Sequence, residues 1–66
     1  MKIYLNGKEN QINHSSLEAL LVERGLLKKN GIALAVNNQV IPRANWTKVV
    51  LENNDKILII TATQGG

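Results

Sequence analysis

Lys56-Ile57-Leu58-Ile59-Ile60-Thr61-Ala62-Thr63, followed by Gln64-Gly65-Gly66, is the stretch from which the rest of the chain can be organised. Four aliphatic residues in succession, without polar alternation, read as a strand that is apolar on both faces and therefore central in its sheet. The polar bridge Thr61-Ala62-Thr63-Gln64 then leads to two glycines. Glycine adds no packing to a strand and is costly to order, so Gly65-Gly66 is expected to leave the fold as a thin tail. Gly66 has no Cβ to crowd a carboxylate, and Gly65 lets the backbone enter a slot too narrow for side chains. The expected division is a folded domain over 1–62 and a tail over 63–66. Extended, that tail spans roughly 13 to 14 Å, enough to enter a partner's active site.

Upstream, residues 1–5 alternate, with Ile3 and Leu5 on one face and Lys2 and Tyr4 on the other, and Asn6-Gly7 is a strong hairpin signal. Lys8 to Ile12 should return antiparallel. Ser15 as N-cap, with Glu18 three residues later, reads as a capping box opening a helix. Leu17, Leu20 and Leu21 give that helix its apolar stripe, Glu18 and Glu23 face water, and Gly25 is placed to stop it. A lysine-bearing loop, Leu26 to Gly31, precedes a strand over Ile32 to Val36, which ends in the turn Asn37-Asn38. Gln39-Val40-Ile41 is a short extended piece closed by Pro42, and Ala44 to Leu51 reads as an irregular crossover with one short strand over Val49-Val50-Leu51. Asn53-Asn54-Asp55 is a turn into the last strand. A hairpin, one crossing helix and a late central strand parallel to the first specify an α+β fold: a ubiquitin-like β-grasp, a mixed sheet with one main helix packed on one face.

Within the last strand, Thr61 and Thr63 share parity with Ile57 and Ile59. This predicts that Leu58 and Ile60, with Ile3 and Leu5, meet Leu17, Leu20 and Leu21 of the helix. Ile57 and Ile59 then lie on the open sheet face, either as a docking patch with Tyr4 alongside or as incidental apolar surface. The expected partner-binding residues are Gly65, Gln64, Thr63, Ile57 and Ile59. Trp46 reads as an anchor for the crossover. Arg43 would either meet an acidic partner or be solvated, and Lys28-Lys29 reads as a solvated loop pair.

Composition excludes several classes. A chain of 66 residues has no room for a cleft between lobes, so an enzyme acting alone is not expected. With no cysteine it can form no disulfide, thiolate metal site or persulfide of its own. His14, beside Ser15 and Ser16, has no acidic or cysteine neighbours in sequence that would make it a ligand, and is expected to be exposed. The formal charge of +3 comes from cations interleaved with carboxylates, and Tyr4 and Trp46 are the only aromatics, so nucleic-acid binding is not expected. No apolar stretch approaches membrane-spanning length. A cytoplasmic monomer is the expectation.

The chain resembles the ThiS family, the ubiquitin-like sulfur-carrier proteins of thiamine biosynthesis, over essentially its whole length. The resemblance rests on Met1 to Leu5 with Asn6-Gly7, on Ala33-Leu34-Ala35-Val36-Asn37-Asn38-Gln39-Val40-Ile41-Pro42-Arg43 with Trp46 just beyond, and on Asn54-Asp55-Lys56-Ile57-Leu58-Ile59-Ile60 leading to Gly65-Gly66. The related molybdopterin-synthase small subunits are usually longer, with phenylalanine and proline before the tail, and this chain has neither. It departs from the family at Gln64, where a smaller or aliphatic residue is common, and in its more basic charge. The resemblance implies that Gly66 is adenylated by an E1-like, ThiF-type adenylyltransferase and becomes a thiocarboxylate with sulfur drawn from a cysteine desulfurase. A ThiG-type thiazole synthase then receives the sulfur. It also implies that the carrier has no catalytic residues and binds no metal or cofactor, ATP being used by the activating partner. Two other functions use the same kind of tail: a ubiquitin-like modifier joined through Gly66 to a lysine, and a sulfur carrier for another product such as molybdopterin. A simple interaction module would have no use for a free carboxylate.

Overall fold

The first turn of the chain shows why asparagine is so frequent in it. Asn6 (φ 50°) and Gly7 (φ 84°) are both left-handed, the backbone a two-residue hairpin requires, and they join β1 (Lys2–Leu5) to β2 (Lys8–Gln11). Asn37 (φ 51°) and Asn38 (φ 70°) do the same between β3 (Ile32–Val36) and β4 (Gln39–Val40). The structure, a computed structural model, describes residues 1–61. Helix α1 covers Leu17–Glu23, a 3-10 helix covers Arg43–Lys48, and β5 covers Lys56–Thr61.

Among the described residues the strands form one five-stranded sheet in the order β2-β1-β5-β3-β4. β5 is central: it pairs parallel with β1 and antiparallel with β3, as the aliphatic run and the β-grasp layout predict. Gly25 ends α1 as expected. Its N–H donates to Val22 O at 3.0 Å and that of Leu26 to Leu21 O at 2.8 Å, a closure that needs the left-handed φ of 70° at Gly25.

Two expectations need correction here. The N-cap is Ser16, whose Oγ accepts from the Ala19 N–H at 3.0 Å, so Ser15 and Glu18 form no capping box. The cause is tertiary: the Ser15 carbonyl accepts from the Leu51 N–H at 2.7 Å, and Ser16 bridges to Val50, so the chain is still paired as an extended segment at the position expected to open the helix. The contact with Val49-Val50-Leu51 is that isolated bridge, not a strand. Trp46 does anchor the crossover. It is buried in the 3-10 helix, and its indole N–H donates to Ile41 O at 2.8 Å.

The second correction concerns β5. The buried core comprises Ile3, Ile12, Leu17, Leu20, Leu21, Leu34, Trp46, Leu51 and Ile57. Ile57 is 2% exposed and Ile59 is half-buried, whereas Leu58 and Ile60 are 48% and 54% exposed. The parity is therefore the reverse of that read from Thr61 and Thr63. Register explains it, because residues opposite one another across a sheet share a face. Leu5 and Val36 lie opposite Ile57, and Leu34 lies opposite Ile59, so these apolar side chains face α1 together. Each large aliphatic residue committed to that face contributes about 1.5–3 kcal/mol.

Candidate functional site

The face of the sheet away from α1 is built by the other half of the same register. Leu58 lies opposite Ala35, and Ile60 opposite Ala33; Val40 on β4 lies opposite Ala35, and Tyr4 on β1 opposite Lys56. Leu58, Ile60, Val40 and Ala33 are exposed, so this face carries a continuous apolar strip across three strands. Two hollows lie on this face, and the small alanines between larger residues form the first. One, of about 240 Å³, is lined by Ala33, Leu34, Ala35, Asn38, Val40, Leu58 and Ile60. The other, of about 380 Å³, lies between the two left-handed turns and is lined by Tyr4, Asn6, Gly7, Asn38, Lys56, Ile57 and Leu58. Leu58 is the ridge between them.

Ile57 is buried and Ile59 half-buried toward α1, so the open-face exposure expected of them is corrected: Leu58 and Ile60 are the exposed aliphatic residues of β5. Tyr4 is on it, half-buried, with the Lys2 ammonium 5.6 Å from the centre of its ring. Ala33, Ala35 and Val40 join the surface without having been expected there. Their signal is the alternation in β3, where Leu34 is buried between two alanines.

The strip ends where β5 ends. Thr61 pairs with Ile32, and Ala62 is next in sequence. Thr63, Gln64, Gly65 and Gly66 lie outside the described residues. β5 itself is held closely: Asn6 Oδ1 accepts from the Ile59 N–H at 2.7 Å, while the Asn6 N–H donates to Ile57 O at 2.9 Å. The hairpin turn thus extends the β1 side of the ladder past the last paired residue of β1. The chain beyond Thr61 is therefore attached to a strand bonded on both sides.

Away from the strip, Arg43 is neither simply solvated nor free to reorient. Its guanidinium donates through Nη1 to Leu27 O at 2.9 Å and through Nη2 to Lys29 O, and it stacks over Trp46 with its centre 4.5 Å from the ring. His14, expected to be exposed, has a side chain 23% exposed with Nε2 3.3 Å from Glu23 Oε2. Neither imidazole nitrogen is aligned for a hydrogen bond. Among the described residues there is no cluster of three His, Asp or Glu side chains that could hold a metal, and no helix is long and apolar enough to cross a membrane.

The model of the ThiS family matches residues 3–66. The chain belongs to the ThiS family. The sulfur carrier protein ThiS of Escherichia coli (strain K12) is 30% identical, with all of both chains covered. A thiazole synthase of Paramagnetospirillum magneticum is 31% identical over all of this chain, which spans 20% of that longer protein. Among solved structures, the thiamine biosynthesis protein (ThiS) of Geobacter metallireducens superimposes with a TM-score of 0.82 over all of both chains at 17% identity, which bears on the fold alone. The ThiS-type β-grasp read from the sequence is the observed architecture.

Proposed function

We propose that this ThiS-family chain is a sulfur carrier of thiamine biosynthesis, and that the sulfur is held as a thiocarboxylate on Gly66. The observation that carries the reading is the extent of the family match, which runs through Gly65-Gly66 to the last residue. A chain of this kind is a protein cosubstrate, not a catalyst. The chemistry explains the need for a partner. An α-carboxylate is ionised at neutral pH and is a poor acyl donor, so it must be activated before sulfur can replace oxygen. A carboxylate oxygen attacks the α-phosphorus of ATP on an E1-like adenylyltransferase, pyrophosphate leaves, and a glycyl adenylate forms. Sulfur drawn from a cysteine desulfurase as a persulfide attacks the acyl carbon and displaces AMP, and a thiol then reduces the resulting acyl disulfide, releasing the thiocarboxylate and leaving a disulfide behind. The chain has no cysteine, so its own terminal carbonyl is where it can carry sulfur. ATP is consumed on the partner, and the reading requires no metal or cofactor on the carrier and places it in the cytoplasm.

A protein named thiazole synthase contains a region like this chain over a fifth of its length, which supports such a synthase as the sulfur acceptor. The apolar strip of Leu58, Ile60, Val40, Ala33 and Ala35 supports a docking role for the open face, since it starts at the root of the tail. Thr63, Gln64 and Gly65 would then thread the partner's slot.

The test is intact-mass analysis after incubation with a ThiF-type adenylyltransferase, ATP and a sulfur source. A mass increment of one oxygen replaced by sulfur, localised to Gly66, is the expected result. Undiminished sulfur transfer after deletion of Gly66, or with a tag appended beyond it, would remove the reading. Covalent adducts to lysine in its place would favour a protein modifier.

A further inference from the structure

The loop from Leu26 to Gly31 enters the sheet at Ile32, directly opposite Thr61, so it stands beside the residue at which β5 ends. Lys28 and Lys29 are exposed in that loop. Arg43 is fastened beneath it by its bonds to the Leu27 and Lys29 carbonyls and by its stacking on Trp46, yet remains exposed. A guanidinium has five N–H donors, so the two bonds leave other donors unused. Three cations therefore sit at one end of the sheet, one of them preoriented.

The carboxylates lie elsewhere. Glu52 and Asp55 flank the turn into β5, at its opposite end. Glu9 is on β2 opposite Tyr4, and Glu18 and Glu23 are on α1. Among the described residues the one carboxylate within 4 Å of a basic side chain is Glu23, beside His14, so no described carboxylate neutralises Lys28, Lys29 or Arg43.

We propose that Lys28, Lys29 and Arg43 form a basic rim at the root of the tail, which docks against acidic side chains around the mouth of the slot in the activating enzyme. The proposal rests on the sulfur-carrier reading and adds to it how the partner is captured. Reach decides between protein carboxylates and the phosphates of ATP. Threaded through a slot, residues 62–66 place the reacting carboxyl roughly 17 Å beyond Thr61, farther than a lysine side chain extends. The rim therefore meets the partner's surface, not its nucleotide. Nucleic acid is a poor fit, because Trp46 is buried and offers no stacking platform. Charges at such a rim act mainly on encounter, and screening over about 8 Å at physiological salt makes their effect sensitive to ionic strength.

The experiment compares wild type, the double variant K28E/K29E and the double variant K28R/K29R as substrates of a ThiF-type adenylyltransferase with ATP. Pyrophosphate release is followed against carrier concentration at low and high salt, with a Gly66-deleted chain as the blank. Charge reversal is expected to raise KM about tenfold or more at low salt, with kcat unchanged and the difference shrinking as salt rises. The arginine pair should behave as wild type. A KM and salt dependence indistinguishable from wild type in K28E/K29E, or a defect confined to kcat, overturns the basic rim while leaving the carrier function intact. If the wild-type chain releases no pyrophosphate above the blank, the carrier reading fails and the rim falls with it.

Discussion

Asn37 and Asp55 are joined by a 2.9 Å hydrogen bond from Nδ2 to Oδ1, and the same asparagine accepts the Lys56 N–H through its own Oδ1 at 2.9 Å. Asp55 Oδ2 meanwhile accepts the Glu52 N–H at 2.8 Å. Two turns far apart in sequence, the one after β3 and the one before β5, are thereby locked together at the entrance to the central strand. Asn37 does this from a left-handed backbone, φ 51°, which asparagine tolerates better than most residues.

Replacing Asn37 by alanine should therefore lower unfolding stability by about 1–3 kcal/mol, combining lost hydrogen bonds with backbone strain. Asn37→Gly should recover the backbone part alone. Asp55→Ala should be destabilising by itself and non-additive with Asn37→Ala. Denaturant titration of the single and double variants measures this, and simple additivity would show that the two side chains act independently.

Ile57→Ala should cost about 2–5 kcal/mol, because the residue is 2% exposed in the core, whereas Leu58→Ala should change stability by under about 1 kcal/mol. Leu58→Asp should keep the fold and weaken binding to the adenylyltransferase or thiazole synthase. Thermal melts combined with a pull-down on the folded fraction separate the two effects. The opposite ranking in the melts would restore the parity that the threonines suggest.

Arg43→Leu should loosen the loop it fastens. The substitution removes both carbonyl contacts and the stacking on Trp46, and an endoproteinase that cleaves after lysine should cut at Lys28–Lys29 several-fold faster than in wild type. Unchanged cleavage would mean that the loop keeps its shape without the guanidinium.

Gly65→Val should abolish or strongly reduce thiocarboxylate formation while leaving Tm unchanged, since among the described residues the core and the hydrophobics packed against it run from Ile3 to Ile59. Intact mass and a thermal melt on the same sample give both readings. A normal yield of thiocarboxylate would show that the partner's slot accepts a β-branched side chain.

The layout of the chain is legible in its sequence because the signals are local. Asn6-Gly7, the leucine spacing in α1, Gly25 after it and the unbroken aliphatic run of β5 each constrain backbone within a few residues, and each corresponds to an observed element. The phase of β5 is not legible from that run, because four consecutive aliphatics carry no alternation. Thr61 and Thr63, taken as solvent markers, point to the wrong face. Lys56 is the better marker, since a lysine is far costlier to bury than a threonine and shares parity with Leu58 and Ile60. The helix start is misread for a different reason: Ser15 and Ser16 are equivalent locally, and a bond from Leu51 to Ser15 decides between them. The role of Arg43 has no local signal either, because the carbonyls it holds belong to residues far from it along the chain.

The placement of β5 between a parallel and an antiparallel neighbour also has a mechanical consequence. Traction on the residues after Thr61 is directed along β5, so the bonds to β1 and β3 resist it together in shear instead of opening one at a time. An enzyme that grips the terminus and pulls would meet the sheet in its most resistant direction. The strand from which the chain continues past Thr61 therefore guards the domain against being unravelled from that end.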